Sequence, residues 1–248
     1  MQCVILAGGI ATRMRPYTND TPKWLLPVRG RPFAHWQLTW LAGHGVDHVV
    51  CCIGHLGQQI VDTIGDGAAF GVRIDYSEDG PQLMGTGGAL ALAADRDLLA
   101  DRFLVVYGDS YLPVDVGEVW RAYLADARPA LMTVFRNEGS FDASNAAYAD
   151  GQVLRYTKGA STAGATAEPG SAAPSLDYID YGLSGFERRL FTELDRSVPV
   201  DLAVLQEALA ARGELAGFEV TERFYEVGSP QGLADLERHL AERGAEPG

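Results

Sequence analysis

Short apolar runs recur along the chain, each closed by glycine or a polar residue: 2–6 (Gln2-Cys3-Val4-Ile5-Leu6), 48–53, 72–77, 103–106 and 130–135. Runs this short, continuous rather than alternating, predict strands buried on both faces. Between them lie segments with helical spacing. Residues 31–43 carry Phe33, Trp36 and Trp40 on one stripe, read as core, and 58–64, 114–127 and 200–212 also suit helices. At 229–243 Ser229 is a cap, Pro230 suits the first turn, and Leu233, Leu236 and Leu240 form the apolar stripe. Strands alternating with helices predict a parallel sheet with helices on both faces. Further on, 145–148 and 152–157 flank Asp150-Gly151, a strong hairpin signal, and 176–186 and 218–226 read as additional strands. Between 159 and 175 the sequence GASTAGATAEPGSAAPS lacks apolar bulk, and a mobile loop is expected there, either a lid or a plain connector.

A length of 248 residues allows one large α/β domain or two small ones, and 47% apolar residues is ordinary for a sizeable core. The net charge of −13 argues against nucleic acid or anionic membranes as partners. An anionic substrate would then need a local basic pocket. Cys3, Cys51 and Cys52 fall in apolar runs without metal-binding spacing, which points to buried free thiols in a reducing compartment. With no basic n-region and no run long enough for a membrane helix, the expected location is the cytoplasm.

Candidate chemistry concentrates after the first strand. Ala7-Gly8-Gly9 lets the backbone turn sharply and bring N–H groups close to an anion. Arg13, Arg15 and Lys23 follow. Arginine offers phosphate a planar fork and lysine a compact charge. A strand, a glycine turn and spaced cations make a place to hold a polyphosphate. Gly8-Gly9 alone means little, since it is neither a Walker loop nor a GxGxxG turn.

The whole stretch, LAGGIATRMRPYTNDTPKWLLPVRGRP, is far more specific. It resembles the opening of the sugar-1-phosphate nucleotidyltransferases, whose pattern runs LAGGxGTRLxPxTxxxPKxLLPVxGxP. The departures are Ala11 for glycine, Met14 for leucine and Trp24 at a variable place. Further segments continue the resemblance to about residue 240. Met84-Gly85-Thr86-Gly87-Gly88-Ala89 matches the loop set against the nucleotide base, with its glycines expected just before a helix. Asp109, in Gly108-Asp109-Ser110, ends an apolar run where open α/β sheets bind ligands, although taken alone it favours an Asx turn or a helix N-cap. In the family that aspartate binds Mg²⁺. Phe224-Tyr225-Glu226-Val227-Gly228-Ser229-Pro230 resembles WxDIGTP, which would make Glu226 the second Mg²⁺ ligand. Tyr178-Ile179-Asp180-Tyr181-Gly182 resembles the segment lining the sugar pocket; a polar strand end explains Asp180 equally well. Of the 20 basic residues only Lys23 and Lys158 are lysines, and both fall where the resemblance puts phosphate contacts.

The resemblance implies a single three-layer, Rossmann-like (GT-A-like) α/β domain with a mainly parallel mixed sheet and no β-helix extension. Its nucleotide part would be about 1–136, its sugar-phosphate part about 137–228 and its closing helix about 229–243. It implies transfer of a nucleotidyl group from an NTP to a sugar 1-phosphate, with Mg²⁺ as cofactor and pyrophosphate as by-product. Arg13, Lys23 and Asp109 would be catalytic. Leu6, Ala7, Gly8, Gly9, Thr12, Gln82, Gly85 and Thr86 would bind nucleotide; Asn145, Lys158, Asp180 and Tyr181 would bind sugar phosphate. The SNAAYADGQVLRYTK, YIDYG and FYEVGSP segments look most like guanylyltransferases for heptose or mannose 1-phosphate. Uridylyl- and thymidylyltransferases on other hexose 1-phosphates are the runners-up, followed by a non-catalytic nucleotide-binding regulator. A DxD-type glycosyltransferase lacks support, since Asp109-Ser110-Tyr111 has no second acid.

Overall fold

The computed structural model describes residues 1–248 except 81, 140–142, 159–173, 196 and 245–248, and describes only the backbone of Arg13. The loop expected at 159–175 therefore lies almost wholly outside the described residues. In chain order the elements are β1 (Gln2–Leu6), β2 (Pro27–Val28), β3 (Arg31–Pro32), α1 (Phe33–Gly43), β4 (His48–Ile53), α2 (Gly57–Ile64) and β5 (Arg73–Glu78). Then come α3 (Gly85–Asp95), β6 (Arg102–Tyr107), β7 (Ser110–Tyr111), α4 (Val116–Ala125), β8 (Ala130–Arg136), β9 (Ala146–Ala149) and β10 (Gln152–Tyr156). The last are β11 (Tyr178–Glu187), α5 (Arg189–Thr192), α6 (Leu202–Ala211), β12 (Leu215–Val220), β13 (Tyr225–Glu226) and α7 (Pro230–Glu242).

Alternate residues of the apolar runs enter two different cores, which is why those runs are continuous. Cys3, Ile5, Val49, Cys51, Leu104 and Val106 face one core, with α1, α2, α4 and α7. Val4, Val50, Cys52, Phe103 and Val105 face the other, with α3, α5 and α6. The result is the expected three layers. Phe33, Trp36 and Trp40 are buried, as their stripe predicts. All three cysteines are free and buried, and burial pushes the Cys52 thiol up to about 12.

One nine-stranded sheet runs in the order β5-β4-β1-β6-β11-β8-β12-β10-β9. Its first four strands are parallel. From β6 onward it is mixed: β11 runs antiparallel to both β6 and β8, while β12 is parallel to β8. The parallel reading thus holds best for the half that ends in the glycine turn. The β9–β10 hairpin turns through Asp150 at φ 50° and Gly151 at φ 73°, the two positive φ values its sequence predicts.

Two boundaries differ from expectation for physical reasons. The first helix starts at Phe33, because Arg31-Pro32 pairs with Pro27-Val28 in a small hairpin. The glycines at 85, 87 and 88 do not precede α3 but form its first turn. The Val200 carbonyl accepts from Gly87 and Gly88 N–H at 2.8 and 3.1 Å, supplying partners for helix-end donors. A Cβ on Gly85, itself at φ 75°, would lie 2.5 Å from that carbonyl oxygen, so glycine is required there.

Candidate active site

The turns that follow β1, β4, β5 and β6 meet at one edge of the sheet, where parallel strands end. Gly108 N–H donates to the Leu6 carbonyl at 3.0 Å, and a Cβ on Gly54 would lie 2.8 Å from the Gly8 carbonyl oxygen. These backbones touch, and a cleft of about 240 Å³ opens beside them. Leu6, Ala7, Gly8, Gly9, Lys23, Gly85, Thr86 and Asp109 line it, all of them expected nucleotide or catalytic residues. Ala89, from the segment expected against the base, also lines it, as do Asp79, Leu83, Cys52, Trp24 and Tyr107, which were not foreseen. Asp79 directly follows β5 and Tyr107 ends β6, a signal visible once the strand ends are known.

The Lys23 ammonium sits 2.8 Å from Asp109 Oδ2, and Ser110 Oγ donates to Oδ1 at 3.3 Å. A two-residue ribbon brings the Glu226 backbone beside this turn. β13 pairs antiparallel with β7, Glu226 opposite Ser110, and Val227 N–H donates to the Asp109 carbonyl at 2.8 Å. α7 backs this ribbon, and a Cβ on Gly232 in its first turn would lie 2.2 Å from the Glu226 carbonyl oxygen. The expected Ser229 cap forms, accepting from Gly232 N–H at 3.0 Å. The backbones of Asp109 and Glu226 thus run side by side, and carboxylates are the hard-oxygen donors that Mg²⁺ takes alongside phosphate oxygens and water. Among the described residues no group of three or more His, Cys, Asp or Glu gathers as for a metal held by protein alone.

A second lysine–aspartate pair adjoins the cleft. Lys158 Nζ pairs with Asp201, whose carboxylate also accepts from Thr86 Oγ1 at 3.2 Å and from Ala203 N–H at 3.0 Å. Lys158 is thereby linked through Asp201 to Thr86 on the cleft wall. Asp201 carries no motif in the sequence beyond its place as N-cap of α6. Asp180 lies at a register shift in β11, a bulge of the kind that re-aims a side chain. Its carboxylate accepts from Gly182 N–H at 3.0 Å and Tyr156 hydroxyl at 3.3 Å, and burial raises its pKa to about 6. Burial, with the carboxylates of Asp180, Asp201 and Asp109, holds the Tyr107 phenol well above its ordinary range.

The other expected residues lie elsewhere. Asn145 Oδ1 accepts from the Asp180 backbone N–H at 2.8 Å, so its amide fixes the strand. Tyr181 is buried in the core, stacked on Phe135 and edge-on to Phe224. Along a strand neighbours face opposite sides, and Asp180 and Tyr181 part accordingly. Thr12 and Gln82 are exposed and do not line the cleft. The Arg13 side chain lies outside the described part.

Among known proteins, N-acetylmuramate alpha-1-phosphate uridylyltransferase of Neisseria meningitidis is 43% identical over 115 residues, 46% of this chain and 49% of that protein. Mannose-1-phosphate guanylyltransferase of Mycobacterium tuberculosis is 28% identical over 252 residues, 97% of this chain and 66% of that protein. The chain thus spans about half of the first relative's length and about two thirds of the second's. The crystal structure of HddC from Yersinia pseudotuberculosis complexed with GMP-PN superposes with a TM-score of 0.77. It covers 96% of this chain and 99% of its own at 19% identity, a likeness of fold. No helix among the described residues is long and apolar enough to cross a membrane. Residues 3–196 match the model of the MobA-like NTP transferase domain, and the chain belongs to that family.

Proposed function

We propose that the protein transfers a nucleotidyl group from an NTP to a sugar 1-phosphate, giving an NDP-sugar and pyrophosphate. The observation that carries this is the Lys23–Asp109 pair in a glycine-turned cleft, joined through Thr86 and Asp201 to a second lysine, Lys158. One oxygen of the sugar phosphate attacks the α-phosphorus in line. The bond to the β-phosphate oxygen breaks, and pyrophosphate leaves with the electron pair. The attacking oxygen is already anionic, so no base is needed; positioning and charge neutralisation do the work.

Lys23 bridges the nucleotide and sugar phosphates, exchanging its carboxylate partner for phosphate oxygens. Lys158 does the same for the sugar phosphate, leaving Asp201. Arg13 neutralises the departing pyrophosphate. Asp180 accepts sugar hydroxyls. Asp109 and Glu226 would hold Mg²⁺, which supplies positive charge to the phosphate oxygens.

GTP and a heptose or mannose 1-phosphate are the favoured substrates. In support, the relative aligned along nearly this whole chain is named a mannose-1-phosphate guanylyltransferase. A second reading, UTP as donor, is favoured by the higher identity to the uridylyltransferase over its shorter stretch. The test is pyrophosphate release from each NTP with Mg²⁺, with and without a panel of sugar 1-phosphates. Release that requires a sugar 1-phosphate supports transfer. Release without acceptor, or none with any pair, defeats it.

A further inference from the structure

The β7–β13 ribbon has only two residues in each strand, and its strands come from distant parts of the chain. A pair this short does not hold itself together in water, where even a longer isolated hairpin is marginal. It must be fastened from outside. Its two register pairs divide between its faces, Tyr225 opposite Tyr111 on one and Glu226 opposite Ser110 on the other.

His239, in the last turn of α7, takes the tyrosine face. Its ring stacks on Tyr225 with 4.2 Å between centroids and 25° between planes, and it meets Tyr111 edge-on at 6.1 Å and 63°. One ring thus engages both strands. Tyr111 leans in turn on Trp40 of α1 at 6.4 Å, and Trp40 is buried. Arg223 covers the Tyr225 ring as well, its guanidinium carbon 4.6 Å from the centroid, and pairs with Asp235 of α7 at 3.6 Å. Leu236 and Leu240 bury α7 without help from His239. The His239 Nε2 is buried with no hydrogen-bond partner among the described residues, so stacking, not that nitrogen, makes the contact. Burial, with Arg243 nearby, lowers the imidazole pKa, which favours the neutral ring.

We propose that His239 is a positioning residue whose ring clamps Tyr111 to Tyr225 and so holds Glu226 in register with Asp109, an inference that rests on the nucleotidyl-transfer reading of this site. The Val227 N–H bond to the Asp109 carbonyl, at 2.8 Å, crosses the ribbon beside both acids and reports whether it is closed. Losing one aromatic pair should multiply the open fraction about 2- to 12-fold. Displacing a reacting group by about 1 Å can cost on the order of 100-fold in rate.

Amide exchange followed by NMR, with steady-state kinetics, on the full chain and its His239→Ala, His239→Asn and His239→Phe variants tests this. In the alanine and asparagine variants Val227 N–H should exchange faster by that first factor, while amides of β1, β4 and β6 keep their rates. In both, kcat should fall at least about 10-fold with KM for sugar 1-phosphate unchanged. Phenylalanine keeps a ring and drops both nitrogens, and should restore exchange and kcat to within about twofold of the wild type. An unchanged Val227 rate in His239→Ala overturns the inference. So does faster exchange with wild-type kcat, since the ribbon would then be fastened without positioning anything. Faster exchange across the whole sheet would make His239 a general packing residue, and failure of phenylalanine to restore either quantity would assign the effect to a nitrogen; each overturns it too. If even the wild type releases no pyrophosphate, the transfer reading falls and the positioning role with it, whereas the Val227 rates still decide whether His239 fastens the ribbon.

Discussion

Gln37, fully buried on α1, accepts the Trp24 indole N–H at 2.8 Å through Oε1. Its Nε2 donates to the Tyr107 and Ser110 carbonyls at 2.9 and 2.8 Å. Those carbonyls bracket Gly108-Asp109, and Trp24 follows Lys23. One buried amide therefore fixes the loop that carries the lysine to the turn that carries the aspartate.

Gln37→Leu should lose more than shape. It leaves one donor and two acceptors without their partner, at roughly 1–3 kcal/mol for each group that stays dry. A drop in melting temperature of several degrees is expected. At temperatures where the variant remains folded, kcat should fall as well, because Lys23 and Asp109 are no longer held in register. A lower melting temperature with wild-type kcat would make Gln37 a packing residue only.

Charge removal separates the proposed roles. Asp109→Asn should cut turnover at least about 100-fold with the fold intact, since Asp109 is a partly exposed turn residue. Glu226→Gln should act in the same direction but less severely, its longer side chain reaching through water. Lys23→Ala should chiefly lower kcat, and Lys158→Ala chiefly raise KM for sugar phosphate. Matching defects in the two lysine variants would erase that distinction.

Ala11 departs from the glycine of the family pattern, and the backbone explains the preference. It stands at φ 51°, ψ 44°, the left-handed region. There a Cβ costs roughly 1–2 kcal/mol, while glycine gives back part of the gain as unfolded-state entropy. Ala11→Gly should therefore raise stability by under about 1 kcal/mol, or one to three degrees in melting temperature. A decrease would mean that the alanine methyl packs usefully in the cleft wall.

Much of this was legible in the sequence because it is local. Continuous apolar runs reveal strands buried twice, and Asp150-Gly151 reveals a turn that needs positive φ. The cleft wall from Leu6 to Gly9, with Lys23 and Asp109, was marked by the family resemblance of its motifs. What escaped was set by contacts distant in sequence. Gly87 and Gly88 read as a base-binding loop, yet their N–H groups meet the Val200 carbonyl. Asp201 became visible only when α6 came to rest against Thr86. Asp180 and Tyr181, adjacent in one motif, part to opposite faces of β11. Asp79 and Gln82 share one segment, and the cleft takes Asp79, which motif matching passed over.

Asp180 offers a test in which stability and function move apart. Its folded pKa of about 6 stands above the ordinary value of 3.8, because burial disfavours the anion. The fold therefore prefers the neutral acid. That preference is fully present below about pH 4 and is lost as pH rises through 6, beyond which the anion costs at most about 2–3 kcal/mol. Asp180→Asn removes the titration; its carbonyl can still accept from Gly182 N–H, and the Tyr156 hydroxyl can turn to accept from the new amide. The variant should melt higher than the wild type at pH 8, and the difference should vanish by pH 4. If the anion also accepts sugar hydroxyls, wild-type KM for sugar phosphate should fall as pH rises through 6. The substrate phosphate titrates in the same range, but it does so for both proteins, so the difference between their profiles isolates Asp180. A variant that is more stable at pH 8 and keeps the wild-type KM profile would leave Asp180 as a strand-end acid that merely burdens the fold. Higher stability with a raised KM and a flatter profile would show an acid retained, at a cost to the fold, for the sugar it holds.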